Sequence, residues 1–354
     1  MTGTPTTFAD FLREDQGSAG ELPGALVTLL QGVERACSGV DRLVAEPWTT
    51  AEALTDAAEE IFVRALGSEG EGARATLSST RREELLAGGG GSLEDERYLV
   101  AYEPLDDAWR VELHRPVGSM FSIRRASGVE AAADFLQPGT AQVAAGYLLF
   151  GSSTLLVLTL GRGVHLFRLD RSSGKLALTQ RSLTMPAAVS ELVVDLSRAR
   201  WWEPPVRRYV NERLDDASRP SSRAQLPVHG ISSLVADVHR ILCRGGTLLV
   251  PGESLDPGPA ASQGDGPHDG HLRLVHHAQP LAWLVEQAGG LASTGRERVQ
   301  GLVPTDLRQC VPLILGTHPE VEQIEAYHRA HDDGLEPEFV SPLFNQRSLF
   351  PPSR

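Results

Sequence analysis

The stretch from residue 154 to residue 179 limits the possible folds more than any other part of the chain. Thr154 to Leu160 and Val164 to Leu169 are β-rich runs separated by Gly161-Arg162-Gly163. Glycine supplies the positive φ that a tight reversal needs, so the two runs read as a hairpin. Asp170 to Lys175 then carries a second set of turn formers before Leu176 to Thr179, which extends the hairpin into a meander. A meander must bury its apolar face against another layer. Helical periods on both sides can supply that layer. Leu22, Leu26, Leu29, Leu30 and Val33 recur at helical spacing, as do Leu54, Ala58, Ile61, Phe62 and Ala65. The strongest helix runs from Ile231 to Cys243, with Ile231, Leu234, Val235, Val238 and Leu242 on one face and a strand, Thr247 to Val250, after it. Pro204-Pro205 suits a helix entrance, and Gly289-Gly290 closes another helix over Pro280 to Ala288. Tyr98 to Tyr102 suits a buried strand. The fold class is therefore α/β, or α+β, with alternating helix and sheet layers.

Bulk properties exclude several function classes. A chain of 354 residues, 41% of them hydrophobic, can bury a large core. A net charge of −13 makes nucleic acid a poor partner. No apolar run approaches the ~18 residues of a membrane span, and Met1 to Asp15 lacks the pattern of a secretory leader. Cys37, Cys243 and Cys310 are far apart and odd in number, so they read as buried thiols in a reducing compartment. A cytoplasmic location is expected. Ala87 to Ser92, Pro251 to His271 and the tail from Gly334 read as irregular segments.

Several ordered stretches resemble class I fructose-1,6-bisphosphatases, the bacterial ones in particular. They are Asp134-Phe135-Leu136-Gln137-Pro138-Gly139, Gly151-Ser152-Ser153-Thr154, Trp202-Glu203-Pro204-Pro205, Val235-Ala236-Asp237-Val238-His239-Arg240 with Gly245-Gly246, and Glu286-Gln287-Ala288-Gly289-Gly290. The resemblance runs from about Phe8 to about His331. It implies the sugar-phosphatase fold in two halves, an N-terminal domain over 6–188 and a C-terminal domain over 189–333, followed by an irregular tail over 334–354. It also implies Mg²⁺-dependent phosphomonoester hydrolysis in carbohydrate metabolism, in gluconeogenesis or the Calvin cycle, and a tetramer of identical subunits.

Mg²⁺ is a hard cation that takes oxygen ligands, mostly carboxylates. The family draws them from three places. Its D-P-x-D-G-S-S-N loop matches Glu103-Pro104-Leu105-Asp106-Asp107-Ala108-Trp109-Arg110. Glu103 and Asp106 keep carboxylates at the ligand positions, while Asp107 replaces the glycine whose backbone cradles phosphate. The family's S-E-E acids match hydroxyl residues in Thr76-Leu77-Ser78-Ser79-Thr80, with Glu83 and Glu84 nearby either as substitutes or as solvated charges. The third glutamate matches His277, read either as part of a transition-metal site with Glu103 and Asp106 or as a neutral histidine filling a vacated space. An aspartate on the preceding helix matches Thr55, unless Asp56 shifts into its place.

In the substrate pocket the matching positions are Asp195, Arg198, Gly230, Val250, His271 and His229, and Arg273 is kept. Asp195, His271 and Arg273 are the candidates there. A regulatory anion site is implied by Gly20-Glu21-Leu22, Arg97-Tyr98 and Arg125. The expected function is a catalytically impaired homologue, a pseudo-phosphatase with a regulatory or oligomer-partner role, assembling with itself or with an active homologue and binding a sugar phosphate or nucleotide. In that case Mg²⁺ binding is weak or lost. The alternative is an active, divergent metal-dependent sugar-phosphate phosphatase.

Overall fold

The computed structural model describes residues 6–19, 22–48, 50–67, 73–80, 85–87, 97–128, 130–188, 191–218, 226–252 and 272–335. Three helices open the chain: α1 (Phe8–Ala19), α2 (Gly24–Val44) and α3 (Ala51–Gly67). Strands β1 (Ala73–Ser78), β2 (Leu85–Ala87), β3 (Tyr98–Asp106) and β4 (Val117–Arg125) follow. After the short α4 (Ala131–Asp134) come β5 (Gln142–Phe150), β6 (Leu155–Thr159), β7 (Val164–Asp170) and β8 (Lys175–Leu183). These strands form one eight-stranded sheet in the order β2-β1-β3-β4-β5-β6-β7-β8, antiparallel except for β1 beside β3. The expected meander is present as β6, β7 and β8.

The second half contributes β9 (Leu192–Val194), α5 (Pro204–Ser218), β10 (Val228–His229), α6 (Leu234–Arg244), β11 (Thr247–Val250), β12 (Leu272–Arg273), α7 (Gln279–Gln287), β13 (Leu291–Ser293), β14 (Cys310–Val311), β15 (Leu313–Gly316) and α8 (His318–Asp332). Five of its strands form a second sheet, ordered β10-β9-β11-β15-β13.

Side-chain parity along the strands sorts residues into layers. Tyr98, Val100 and Tyr102 of β3 join the core beneath α1, α2 and α3. Met120 and Tyr147, from the other face of the large sheet, join α6 and α7 together with Leu248, Leu313 and Leu315 of the small sheet. Leu249 and Ile314 point the opposite way, against Val206, Tyr209 and Val210 of α5 and Val321 and Ile324 of α8. The result is five layers, helix–sheet–helix–sheet–helix. Sheets covered on both faces explain why their strands read as nearly continuous apolar runs.

Two expectations need correction. Helix α6 begins at Leu234 rather than Ile231, because the Asp237 carboxylate accepts Ser232 N–H at 2.6 Å and ties that segment into a loop. The thiols are not all buried: Cys37 is, Cys243 is exposed and Cys310 is intermediate. The segment expected to be irregular over Pro251 to His271 lies almost wholly outside the described residues, as does most of the tail.

Candidate functional site

Strand β3 runs from the core to an irregular end. Its ladder with β4 breaks register between Glu103 and Asp106, and Asp106 pairs opposite Gly118. Gly118 has no room for a side chain, since a Cβ there would lie 2.5 Å from the Val235 Cβ. That close approach brings the first turn of α6 onto the end of β3, where Leu234 N–H donates to Asp106 Oδ2 at 3.2 Å. A helix N-terminus offers unpaired N–H groups, and here one of them meets a carboxylate. Burial first, then the negative charges of Asp107 and Glu103, push the Asp106 carboxyl up to about 7.

Glu103, beside it, is held differently. Its carboxylate accepts from Ser79 Oγ and from His277 Nε2, the latter at 3.1 Å. Burial opposes its charge, but the His277 and Ser79 hydrogen bonds, with Arg273 nearby, outweigh that and hold the carboxyl below its usual range. The tautomer of His277 follows from its other nitrogen. Nδ1 accepts the Arg273 backbone N–H at 3.2 Å, so the ring proton sits on Nε2 and donates to Glu103. Both nitrogens of His277 are therefore engaged within the protein.

A third carboxylate completes the arrangement, one that matching by motif does not reveal. Glu59 on α3 is 7% exposed and accepts from three hydroxyls: Ser78 Oγ, Thr80 Oγ1 at 2.9 Å and Tyr102 at 2.7 Å. Burial and the Glu59 charge push the Tyr102 hydroxyl up, keeping it protonated as a donor. Tyr102 is fixed in turn by stacking on Phe62, with centroids 5.0 Å apart and rings 8° from parallel. Neither Thr55 nor Asp56 takes this place. Thr55 Oγ1 bonds to Ala51 O, and Asp56 faces solvent. The usable signal was helical periodicity, because Glu59 lies one turn beyond Thr55 on the same face.

Asp107 keeps the left-handed conformation that suits glycine, with φ 54° and ψ 41°. Asp tolerates this region better than most residues. Its carboxylate turns to Arg110, 2.9 Å away, and to the Trp109 indole N–H, with Arg110 stacked 4.4 Å over Trp109. The loop that cradles phosphate in the resembled family thus carries an ion pair of its own.

Mg²⁺ takes six oxygen ligands, several of them from water or substrate, so the protein need supply only one or two carboxylates. Glu59 accepts from hydroxyls on both of its oxygens, while Glu103 takes both of its bonds on Oε2, with the Ser78, Ser79 and Thr80 hydroxyls donating to these two carboxylates. Among the described residues, no three His, Cys, Asp or Glu side chains converge to hold a metal ion. Of the expected three-ligand set of Glu103, Asp106 and His277, His277 and Glu103 bond to each other in this structure.

The other candidates divide. Arg273 belongs to the site, through its backbone bond to His277 and its charge near Glu103. Asp195 caps its own turn, accepting Ser197 N–H at 3.0 Å and Ser197 Oγ at 2.7 Å. Among the N-terminal anion candidates, Tyr98 and Arg125 pair across the β3–β4 ladder, and Arg97 O accepts Ala126 N–H beside them. Leu22 packs against the N-terminal core. Gly20, Glu21, His271, Glu83 and Glu84 lie outside the described residues.

Comparison with known proteins bears on the whole chain. Residues 49–181 match the model of the fructose-1-6-bisphosphatase N-terminal domain, and residues 185–329 match that of the C-terminal domain. A class 1 fructose-1,6-bisphosphatase of Rhodospirillum rubrum is 40% identical, covering 98% of this chain and 98% of its own. A class 1 enzyme of Methylibium petroleiphilum is 37% identical, covering 99% and 98%. The crystal structure of Leishmania major fructose-1,6-bisphosphatase in holo form superposes with a TM-score of 0.79 at 26% identity, over 92% of this chain and 99% of that one. No helix among the described residues is long and apolar enough to cross a membrane.

Proposed function

The chain belongs to the fructose-1,6-bisphosphatase family, phosphatases of carbohydrate metabolism, and from that premise we propose that it is a member without the family's hydrolytic turnover. One observation carries this reading. Hydroxyl donors meet both oxygens of Glu59, and a hydroxyl and an imidazole meet Glu103 Oε2, so protein groups take up acceptor capacity on which catalysis by metal ions would draw. Three hydroxyls stand where the family has Ser-Glu-Glu, so two negative charges are lost and the demand for a neutralising cation falls with them. Mg²⁺ binding is weak or lost on this account. The retained layers and core then serve a regulatory or oligomer-partner role, with a second copy of the chain or an active homologue as partner and a sugar phosphate or nucleotide as effector.

A second reading is a divergent, metal-dependent sugar-phosphate phosphatase. It draws on Glu103, Asp106 and Arg273, which still gather at the end of β3. Phosphate release from fructose 1,6-bisphosphate separates the two when measured with Mg²⁺, Mn²⁺ and Zn²⁺ in turn. The proposed function predicts no release above background. Turnover at ordinary enzyme rates that disappears in Asp106→Asn would establish the second reading.

A further inference from the structure

A cavity of about 490 Å³ lies between the middle of α2 and the β7–β8 turn, at the far edge of the large sheet from β1 and β2. Four cationic side chains and two carboxylates line it: Arg35, Arg42, Arg171 and Lys175, with Glu34 and Asp41. Such a balance is unusual for a chain of net charge −13.

The internal pairing leaves cationic charge over. Asp41 is committed to Arg171, with N–O distances of 2.9 to 3.2 Å, and also accepts from Thr154 Oγ1. Glu34 is 7% exposed and accepts the Leu176 backbone N–H at 2.9 Å. Arg35 donates to a neutral acceptor, Ala65 O at 3.1 Å, and Arg42 to Ser38 O at 3.1 Å. Lys175 has no side-chain hydrogen bond among the described residues. Three cations thus face the cavity without a carboxylate partner among the described residues, against the single charge of Glu34.

The cavity wall is rigid. Asp170 accepts from Ser172 N–H and from the Ser172 and Ser173 hydroxyls, which fixes the turn. Gly174 holds φ at +71°, and a Cβ there would sit 3.2 Å from Ser38 Oγ, so glycine lets the turn close down on α2.

We propose that this cavity binds a phosphorylated small-molecule anion, its phosphate oxygens taken by Arg42, Lys175 and Arg35. Guanidinium forks and a free ammonium are the groups that recognise phosphate, and the volume suits a small metabolite. The inference is independent of the reading at the end of β3.

Pyrophosphate is a suitable probe, titrated calorimetrically into the full-length wild-type protein and into Arg42→Gln/Lys175→Gln. Both substitutions are exposed and keep polar character, and a matched thermal melt confirms folding. The expected result is saturable binding at low salt, about tenfold weaker in the double variant and weakening as ionic strength rises. Arg298→Gln, a surface change elsewhere, leaves it unaltered. Absence of saturable binding to the wild type, or equal affinity in the double variant, overturns the proposal. So does a change of oligomeric state in the double variant without loss of pyrophosphate binding, which would make the cavity part of an interface.

Discussion

Glu59 and Glu203 are carboxylates of similar burial, 7% and 4% exposed, kept in contrasting ways. Glu203, at the start of α5, takes two bonds from the Arg296 guanidinium at 3.1 and 3.2 Å and has His328 Nε2 at 3.4 Å. Burial opposes its charge, yet His328 and Arg296 outweigh it and hold the carboxyl at about 2. Arg296 also grips Asp332 of α8, so the cluster pins that helix. Glu59 has three neutral hydroxyl donors instead. Both carboxylates are satisfied, but only Glu203 is neutralised. The difference is that hydroxyls on the neighbouring strand satisfy Glu59, whereas an arginine pairs with Glu203.

The comparison predicts effects of decreasing size. Arg296→Met removes the guanidinium that bridges Glu203 to Asp332, leaving His328 beside Glu203, and should destabilise the protein by about 2 kcal/mol in urea unfolding. A loss under about 1 kcal/mol would mean that the remaining neighbours of Glu203 suffice to hold it. Glu59→Leu leaves the Ser78, Thr80 and Tyr102 hydroxyls without their acceptor, at an expected cost of about 2 kcal/mol. Adding Ser78→Ala and Thr80→Val to that variant should recover part of the loss, because fewer donors are stranded.

Asp106 gives the pH test. Its folded-state carboxyl titrates at about 7 against 3.8 for the ordinary value, so the folded protein retains a proton that the unfolded chain releases. Stability from this group is present at low pH and is lost as pH rises from about 4 through about 7. Asp106→Asn should flatten that slope and raise stability at mildly alkaline pH by about 1 to 2 kcal/mol, discounted for partial exposure. Glu203 has the opposite sign, its contribution falling as pH drops from 4.5 towards about 2. The smallest effect is expected for Asp107→Gly. It gains glycine's ease in the left-handed region and loses the Arg110 bond, so net stability should change by less than about 1 kcal/mol. Removing that negative neighbour should nevertheless move the Asp106 slope to lower pH.

The layers were legible because they depend on periodicity and punctuation, which are local. Gly161 and Gly163 mark the reversal between β6 and β7, and both take positive φ. Glu103 and Asp106 were legible because a strand-end motif keeps its spacing. Glu59 was not, since it answers hydroxyls 19 and 21 residues away and displaces the matched position by a helical turn. The tautomer of His277 was also hidden, because it is set by a backbone N–H that only the fold brings to Nδ1. Sequence matching finds which side chains were replaced. It does not show how the remaining ones pair afterwards.

The central claim is that protein donors, and not cations, hold Glu59 and Glu103 beside the end of β3. Isothermal titration of Mg²⁺, Mn²⁺ and Zn²⁺, with and without fructose 1,6-bisphosphate, tests it most directly. This account predicts no saturable heat at millimolar metal in either condition. Stoichiometric metal binding in wild type that is lost in Asp106→Asn would contradict it.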